Sequence, residues 1–425
     1  MNHFQRRRGA LHAEAVPLAK LADLHGTPLY VYSTATLTRH WKVLDRALSG
    51  LDHLVCYALK ANGNLSVLRL LARLGAGFDI VSGGELYRVL KAGGDPRKVV
   101  FSGVGKRDDE IAFAIEAGVK AIDVESGPEL GRVSVVARRL RRRAPIALRV
   151  NPDVDPRTHP YISTGLRENK FGVSMTEARR LYSLAAGDPG LLVRGVACHI
   201  GSQITTLRPF LDAVARLLAL VRDLEEQGIA VRHLDVGGGL GIPYHGEAPP
   251  EPAAYGRALK RALSGFDGQL VVEPGRMLVG NAGVLLTRVL YLKRNGRKRF
   301  VIVDAAMNDL IRPPLYEAYH EIEPVMTRRG TREIICDVVG PVCESSDFLA
   351  KSRRMPEPQP GDLLVVRSAG AYGFAMSSNY NARPRAAEVL VDGRRVHLAR
   401  RRESYADLVR GEELGPRRAQ GGGMS

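Results

Sequence analysis

An α/β architecture, a (β/α)8 TIM-type barrel followed by an all-β domain, is what this chain predicts, and three observations carry the prediction. From residue 54 onward, short apolar β-prone runs alternate with helical patterns, the mark of parallel strands joined by crossover helices. Eight such runs occur, and the first four recur about every 22 residues, the length of a short βα unit. After about residue 281 the rhythm changes to β-rich segments separated by Gly, Pro and charged turns. A doubly wound sheet is the alternative use of the same alternation.

The eight runs are LVCYAL (54–59), GFDIV (77–81), KVVFSG (98–103), KAIDVE (120–125), PIALRVN (145–151), RGVACHI (194–200), HLDVGGG (233–239) and QLVVEPG (269–275). Helices between them have their own signals. Ser66 is expected to cap VLRLLARLG, with Leu68, Leu71 and Leu74 on one face and Gly75 as the stop. Phe210, Val214, Leu217, Leu218 and Val221 make a second apolar stripe. Beyond residue 281, GVLLTRVLYLK, RFVIVDA, EIICDVVG, DLLVVRSAG and AAEVLVDGRRVHLARR read as strands, with MPEPQPGD (355–362) as a Pro-rich turn. TPLYVYS (27–33) is a strand that precedes the barrel and is expected to pair with the C-terminal sheet. The expected division is therefore a barrel over 35–281 and a β-rich domain from 1–34 with 282–425, of which 411–425 reads as a flexible tail.

With 45% hydrophobic and 25% charged residues, the composition is that of a soluble globular protein. The four cysteines, at 56, 198, 336 and 343, form no C-x-x-C pair and no zinc-spaced cluster, so no disulfide framework and no metal site are expected. A reducing, cytoplasmic compartment fits that usage. His12, Glu14 and Pro17 interrupt the apolar core that a signal peptide needs, and no run of about 18 apolar residues exists for a membrane span. The net charge of +17 attracts phosphate backbones in general, but its arginines fall in short scattered runs without a nucleic-acid module. No nucleic-acid partner is expected.

In barrels of this kind the C-terminal ends of the strands carry the chemistry. The first run ends in YALKAN, which puts Lys60 at the mouth, where desolvation can strip its proton and free a nucleophilic amine. Taken alone, Lys60 reads more readily as a snorkelling surface lysine. The seventh run ends in GGGLG (237–241) and the eighth in EPGR (273–276), the usual phosphate position of the fold, where glycines let backbone amides close on an anion. GGGLG lacks the spacing of a dinucleotide fingerprint. A phosphate cradle, an imine-forming amine and the carboxylate of Glu273 together point to pyridoxal phosphate, with Glu273 on the pyridine nitrogen. His199, in CHIGSQ, is placed to stack on the ring, or is a buried structural histidine. Cys343, in GPVCESSDF (340–348), is open on its own residues to five roles: disulfide, metal ligand, nucleophile, proton donor or buried packing.

Long motifs across nearly the whole chain resemble the fold-type III pyridoxal-phosphate decarboxylases, and among them the diaminopimelate decarboxylase family. They include HGTPLYVYS, YALKAN, GFDIVSGGEL, RVNPDVDPRTHPYISTG, HIGSQ, DVGGGLG, EPGR, DAAMNDLIRPPLYEAYH, GPVCESSDF and AGAYGFAMSSNYNARPR. The resemblance implies that Lys60 carries the cofactor as an imine and that His199 stacks on it. It assigns the phosphate to Ser202, Gly237, Gly238, Gly239, Gly275, Arg276 and Tyr372, and the ring nitrogen to Glu273. Arg276, Arg312, Tyr316 and Tyr372 would bind the substrate, and Cys343 and Glu344 would be contributed across a homodimer interface as proton donor and as grip on the distal amino group. The implied reaction is decarboxylation of meso-2,6-diaminopimelate to L-lysine in lysine biosynthesis. Decarboxylation of ornithine or arginine is the alternative.

Overall fold

The computed structural model describes residues 2–155 and 170–415, so PRTHPYISTG (156–165) and the end of the tail lie outside the described residues. Eight parallel strands close a barrel: His53–Ala58, Gly77–Ile80, Val99–Phe101, Ala121–Val124, Ala144–Arg149, Leu191–Ala197, His233–Asp235 and Gln269–Val272, referred to below as strands one to eight. Each lies within one of the eight predicted runs or overlaps it closely. Strand eight returns to strand one through the register Val271 to Leu54, which is the closure that a doubly wound sheet lacks.

Three of the crossover helices begin at an S-x-x-E box. Ser82, Ser126 and Ser174 each accept the amide of the glutamate three residues on, which satisfies a donor that the first turn leaves unpaired. The helix Leu65–Arg73 is capped differently from the expectation: Asn64 accepts the Ser66 amide, so Ser66 sits inside the first turn. No long helix follows strand eight. The ring of helices is closed by Thr34–Leu48, which precedes strand one and packs on Pro252–Ala262. Gly256 permits that approach, since a Cβ there would lie 2.1 Å from the carbonyl oxygen of Ala47.

Strand alternation separates two environments. Val55, Tyr57, Phe78, Ile80, Phe101, Ile122, Val124, Leu234 and Val272 join the main core between strands and helices. Cys56, Val100 and Val271 form a small apolar cluster of their own inside the barrel. Above them the inward positions carry Asp79, Asp123 and Asp235, all buried.

The second unit is a nine-stranded sheet. Leu29–Ser33, fully buried, lies between Gly283–Asn295, to which it is antiparallel, and Ala387–Asp392, to which it is parallel. Tyr32 donates to Glu388 across that pairing at 2.7 Å. Phe4–Arg7, Ala10–Ala13 and Val16–Pro17 form a small sheet that the sequence reading did not anticipate, and Phe348–Pro356 is a further strand of the large sheet. Among the described residues no helix is long and apolar enough to cross a membrane.

Candidate active site

A cavity of about 630 Å³ opens at the C-terminal ends of the barrel strands, and Lys60, His199, Ser202, Arg276, Arg312, Tyr316 and Tyr372 all line it. Seven of the predicted site residues thus meet in one place, although they come from strands, loops and both units of the chain.

Lys60 sits in a short 3-10 turn immediately after strand one. Its Nζ donates to Asp79 Oδ2 at 2.9 Å, and Asp79 belongs to strand two and is buried. Burial alone lowers the pKa of the amine, as the sequence reading expected. The charges of Asp79 and Glu273 outweigh it and hold Lys60 well above the ordinary lysine range. The expectation of an amine freed by desolvation is therefore corrected: in the cofactor-free chain Lys60 is an ammonium held by its neighbours.

Glu273 follows strand eight and is 5% exposed. It lies just behind the cavity wall, with Ser102 Oγ at 3.4 Å and His199 Nδ1 at 3.6 Å. That second contact is not an ion pair. Burial, helped by the charges of Lys60 and Arg149, lowers the His199 pKa to about 3, so its ring is neutral. Its Nδ1 accepts from the Gly238 amide at 3.2 Å, which places the ring proton on Nε2. A flat, neutral imidazole beside a carboxylate is what a ring-stacking partner requires.

The glycine loop is built for close approach. A Cβ at Gly238 would lie 2.0 Å from the carbonyl oxygen of Glu273, and one at Gly239 2.3 Å from that of Gly201. The Gly237 amide donates to Asp235 and that of Gly238 to His199, whereas the amides of Gly239, Gly275 and Arg276 have no acceptor among the described residues. These three, with the Ser202 hydroxyl, are donors suited to an anion. Tyr372 is fixed opposite them by its amide, which donates to Ala61 at 2.8 Å, and its φ of 57° is a conformation that bulky residues rarely adopt.

Two guanidiniums face the cavity without a carboxylate partner among the described residues. Arg276, 6% exposed, donates to Tyr244 at 2.8 Å and to Ser202 at 3.0 Å, lies over the Tyr372 ring, and leaves its buried Nε unsatisfied. Arg312, 7% exposed, donates to His320 Nε2 at 2.9 Å. His320 can accept because its Nδ1–H is used on the carbonyl of Arg367, and because burial and Arg312 itself lower its pKa to about 3. Burying a cation without a counter-charge is costly, so such a pair is matched to an anionic ligand.

Cys343 and Glu344 are placed elsewhere. Both are exposed and neither lines the cavity of its own chain. Their loop is pinned by Asp347, whose carboxylate accepts the amides of Val342 and Met307 at 2.7 Å each. Asn381 accepts the Cys343 amide at 2.8 Å, and Tyr380 donates to Glu344 at 3.4 Å. Two motifs of the sequence, GPVCESSDF and SSNYN, therefore form one surface.

Asp79, Ser102, Arg149, Tyr244 and His320 also belong to the site and were missed. Asp79 had a legible signal, an acid between two apolar residues in a barrel strand. Tyr244 and His320 had none, since each acts by orienting an arginine.

The donor set and the buried cations without a carboxylate partner among the described residues fit pyridoxal phosphate: an amine at the mouth, a carboxylate and a neutral imidazole beside it, and free amides with Ser202 at the rim. Comparison with known proteins agrees. Residues 34–280 match the family model of the pyridoxal-dependent decarboxylase, pyridoxal binding domain. The diaminopimelate decarboxylase of Vibrio cholerae is 57% identical over 96% of this chain and 98% of its own length, and that of Pseudomonas aeruginosa 58% identical over 98% and 100%. The crystal structure of the Helicobacter pylori diaminopimelate decarboxylase complexed with L-lysine superimposes with a TM-score of 0.90 at 43% identity, covering 92% of this chain and 98% of that one. The M. jannaschii enzyme in complex with L-lysine gives 0.93 at 37%, over 98% and 99%. Carried by barrel, cavity and near full-length likeness alike, the conclusion is that this chain belongs to the pyridoxal-dependent decarboxylases, in the group of the diaminopimelate decarboxylases.

Proposed function

We propose that this protein decarboxylates meso-2,6-diaminopimelate to L-lysine and CO2 in the cytoplasm, as a homodimer with pyridoxal phosphate in the barrel of each subunit. The observation that carries the reading is one cavity lined by Lys60 and His199, with Glu273 just behind its wall, and by the guanidiniums of Arg276 and Arg312, which have neutral hydrogen-bond partners but no carboxylate among the described residues. The barrel over 35–281 holds the cofactor, and 1–34 with 282–425 close the site.

Lys60 holds the cofactor. The amides of Gly239, Gly275 and Arg276, with Ser202 and Tyr372, would hold its phosphate, while Gly238 lets the loop lie against Glu273 after strand eight and Gly237 lets it lie against Cys198 and His199 after strand six. Glu273 would pair with the ring nitrogen, and the neutral ring of His199 would supply a stacking face. When bound, pyridoxal phosphate supplies the electron sink that takes up the pair left by the departing carboxylate.

Arg312 and Arg276, with Tyr316, take the carboxylate that is not lost, which leaves the reacting end at Lys60. Cys343 of the partner subunit returns a proton to the carbon that lost its carboxylate, and Glu344 of the partner subunit grips the distal ammonium. Exposure of both residues on their own chain supports a role toward a second copy. A substrate lacking the distal carboxylate leaves two buried guanidiniums unpaired, and this disfavours ornithine or arginine as substrate.

Purified protein is expected to carry a visible band near about 420 nm that disappears on borohydride reduction, with the label on Lys60 by peptide mapping. A colourless protein that gains no band when pyridoxal phosphate is added would refute the proposal.

A further inference from the structure

Behind the cavity lies a layer of acids of which only Asp79, paired with Lys60, has a part in the roles above. Asp79, Asp123 and Asp235 each stand between two residues that face the helices, so strand alternation turns all three carboxyls inward. Oxygens of Asp123, Asp235 and Glu273 lie within 4.8 Å of one another. Donors are scarce there. The Ser102 hydroxyl has one proton for Asp123 at 3.2 Å and Glu273 at 3.4 Å, and the Gly237 amide occupies one oxygen of Asp235. Asp123 Oδ1 and Asp235 Oδ2 are buried with no donor among the described residues.

Cations nearby are committed to other carboxylates: Lys60 to Asp79, Lys106 to Glu129 and Arg149 to Glu125. The remaining neighbours carry no charge to offset the acids. His199 is neutral, and the thiols of Cys56 and Cys198 are pushed up by burial. Three ionised carboxylates packed face to face without donors are strongly disfavoured, and a proton on one of them both removes a like charge and supplies a missing donor. Burial, and after it the charge of Glu273, raises Asp123 and Asp235 far above the usual carboxylate range.

We propose that Asp123 and Asp235 are positioning residues for Glu273: the three carboxyls share a proton, and the protonated acid behind Glu273 holds it aimed at the ring nitrogen. The positioning half of this inference rests on the role given to Glu273 above, whereas the shared proton does not.

Infrared spectroscopy of the cofactor-free protein at about pH 8 tests the proton through the part of the band that substitution removes, because Glu85 and Asp309, raised to about 7, are then largely ionised and Asp79, which burial also raises, is unchanged by the substitutions. A protonated-carboxyl band is expected in the wild type and its reduction in the Asp123→Asn/Asp235→Asn double variant, with folding checked by circular dichroism. If the double variant does not fold, each single Asn variant is expected to weaken the band. In the cofactor-loaded protein the same substitutions are expected to move the pH midpoint of the visible band downward by about one unit or more, since fewer acidic neighbours lower proton affinity at Glu273 and at the nitrogen it faces. Absence of the band in the wild type, or its undiminished survival in the variants, overturns the shared proton. An unmoved midpoint overturns the positioning role. A protein that shows the band yet takes up no cofactor retains the shared proton and loses the positioning role together with the cofactor reading.

Discussion

The barrel mouth and the loop over 340–347 treat their reactive groups in opposite ways. At the mouth Lys60 is held by Asp79 at 2.9 Å, Arg276 by Tyr244 and Ser202, Arg312 by His320, and His199 by the Gly238 amide. Cys343 and Glu344 are exposed, and what Asp347 fixes is the backbone of their loop rather than their side chains. The mouth is preorganised to bind, and its pre-set charges lower the reorganisation needed when an anion enters. The loop has a fixed backbone, and its two functional groups lie outside the cavity of their own chain, Glu344 accepting from Tyr380 at 3.4 Å, as a contribution to a second copy would require.

The contrast can be broken at its strongest point first. Lys60→Ala is expected to reduce CO2 release by more than about 10⁴-fold, beyond what loss of a single proton-transfer group costs, and to abolish the visible band. Cys343→Ala is expected to lower kcat by about 10²–10³-fold while the band remains, because its thiol lies outside the cavity that would hold the cofactor. Mixing the two inactive variants in equal amounts is expected to restore up to about a quarter of wild-type activity, since half of the dimers are then mixed and each has one intact site. No recovery despite subunit exchange measured by mass spectrometry would place Cys343 on its own chain's site. The smallest effect is expected for Arg312→Met, a loss of about 10–100-fold in kcat/KM expressed mainly in KM, matching one charge-assisted hydrogen bond to a remote carboxylate.

What was legible in the sequence follows the same division. The eight barrel strands were readable because each is a short apolar run bounded by helical signals, and the mouth residues were readable because motifs follow those runs directly. Phe4–Arg7 and Phe348–Pro356 were not, because FQRR has one buried apolar residue followed by polar and basic ones, and FLAKSRRMP is interrupted by the polar and basic run Lys351 to Arg354, so both resemble solvated loops. Ser66 was misread as a cap because Asn64, two residues earlier, is the better-placed acceptor. The acids Asp79, Asp123 and Asp235 stand in F-D-I, I-D-V and L-D-V, a pattern that marks an inward carboxyl once the strands are known to close into a barrel. Whether an exposed cysteine meets a partner is a property of two chains, and one sequence carries it only through likeness to relatives.

The most direct test of the whole account is CO2 release measured with meso-2,6-diaminopimelate, ornithine, arginine and L-lysine under identical conditions. The account predicts release from meso-diaminopimelate with one equivalent of L-lysine formed, at roughly 10⁴-fold higher kcat/KM than from any of the others. Comparable release from ornithine or arginine, or none from meso-diaminopimelate in the cofactor-loaded protein, would contradict it.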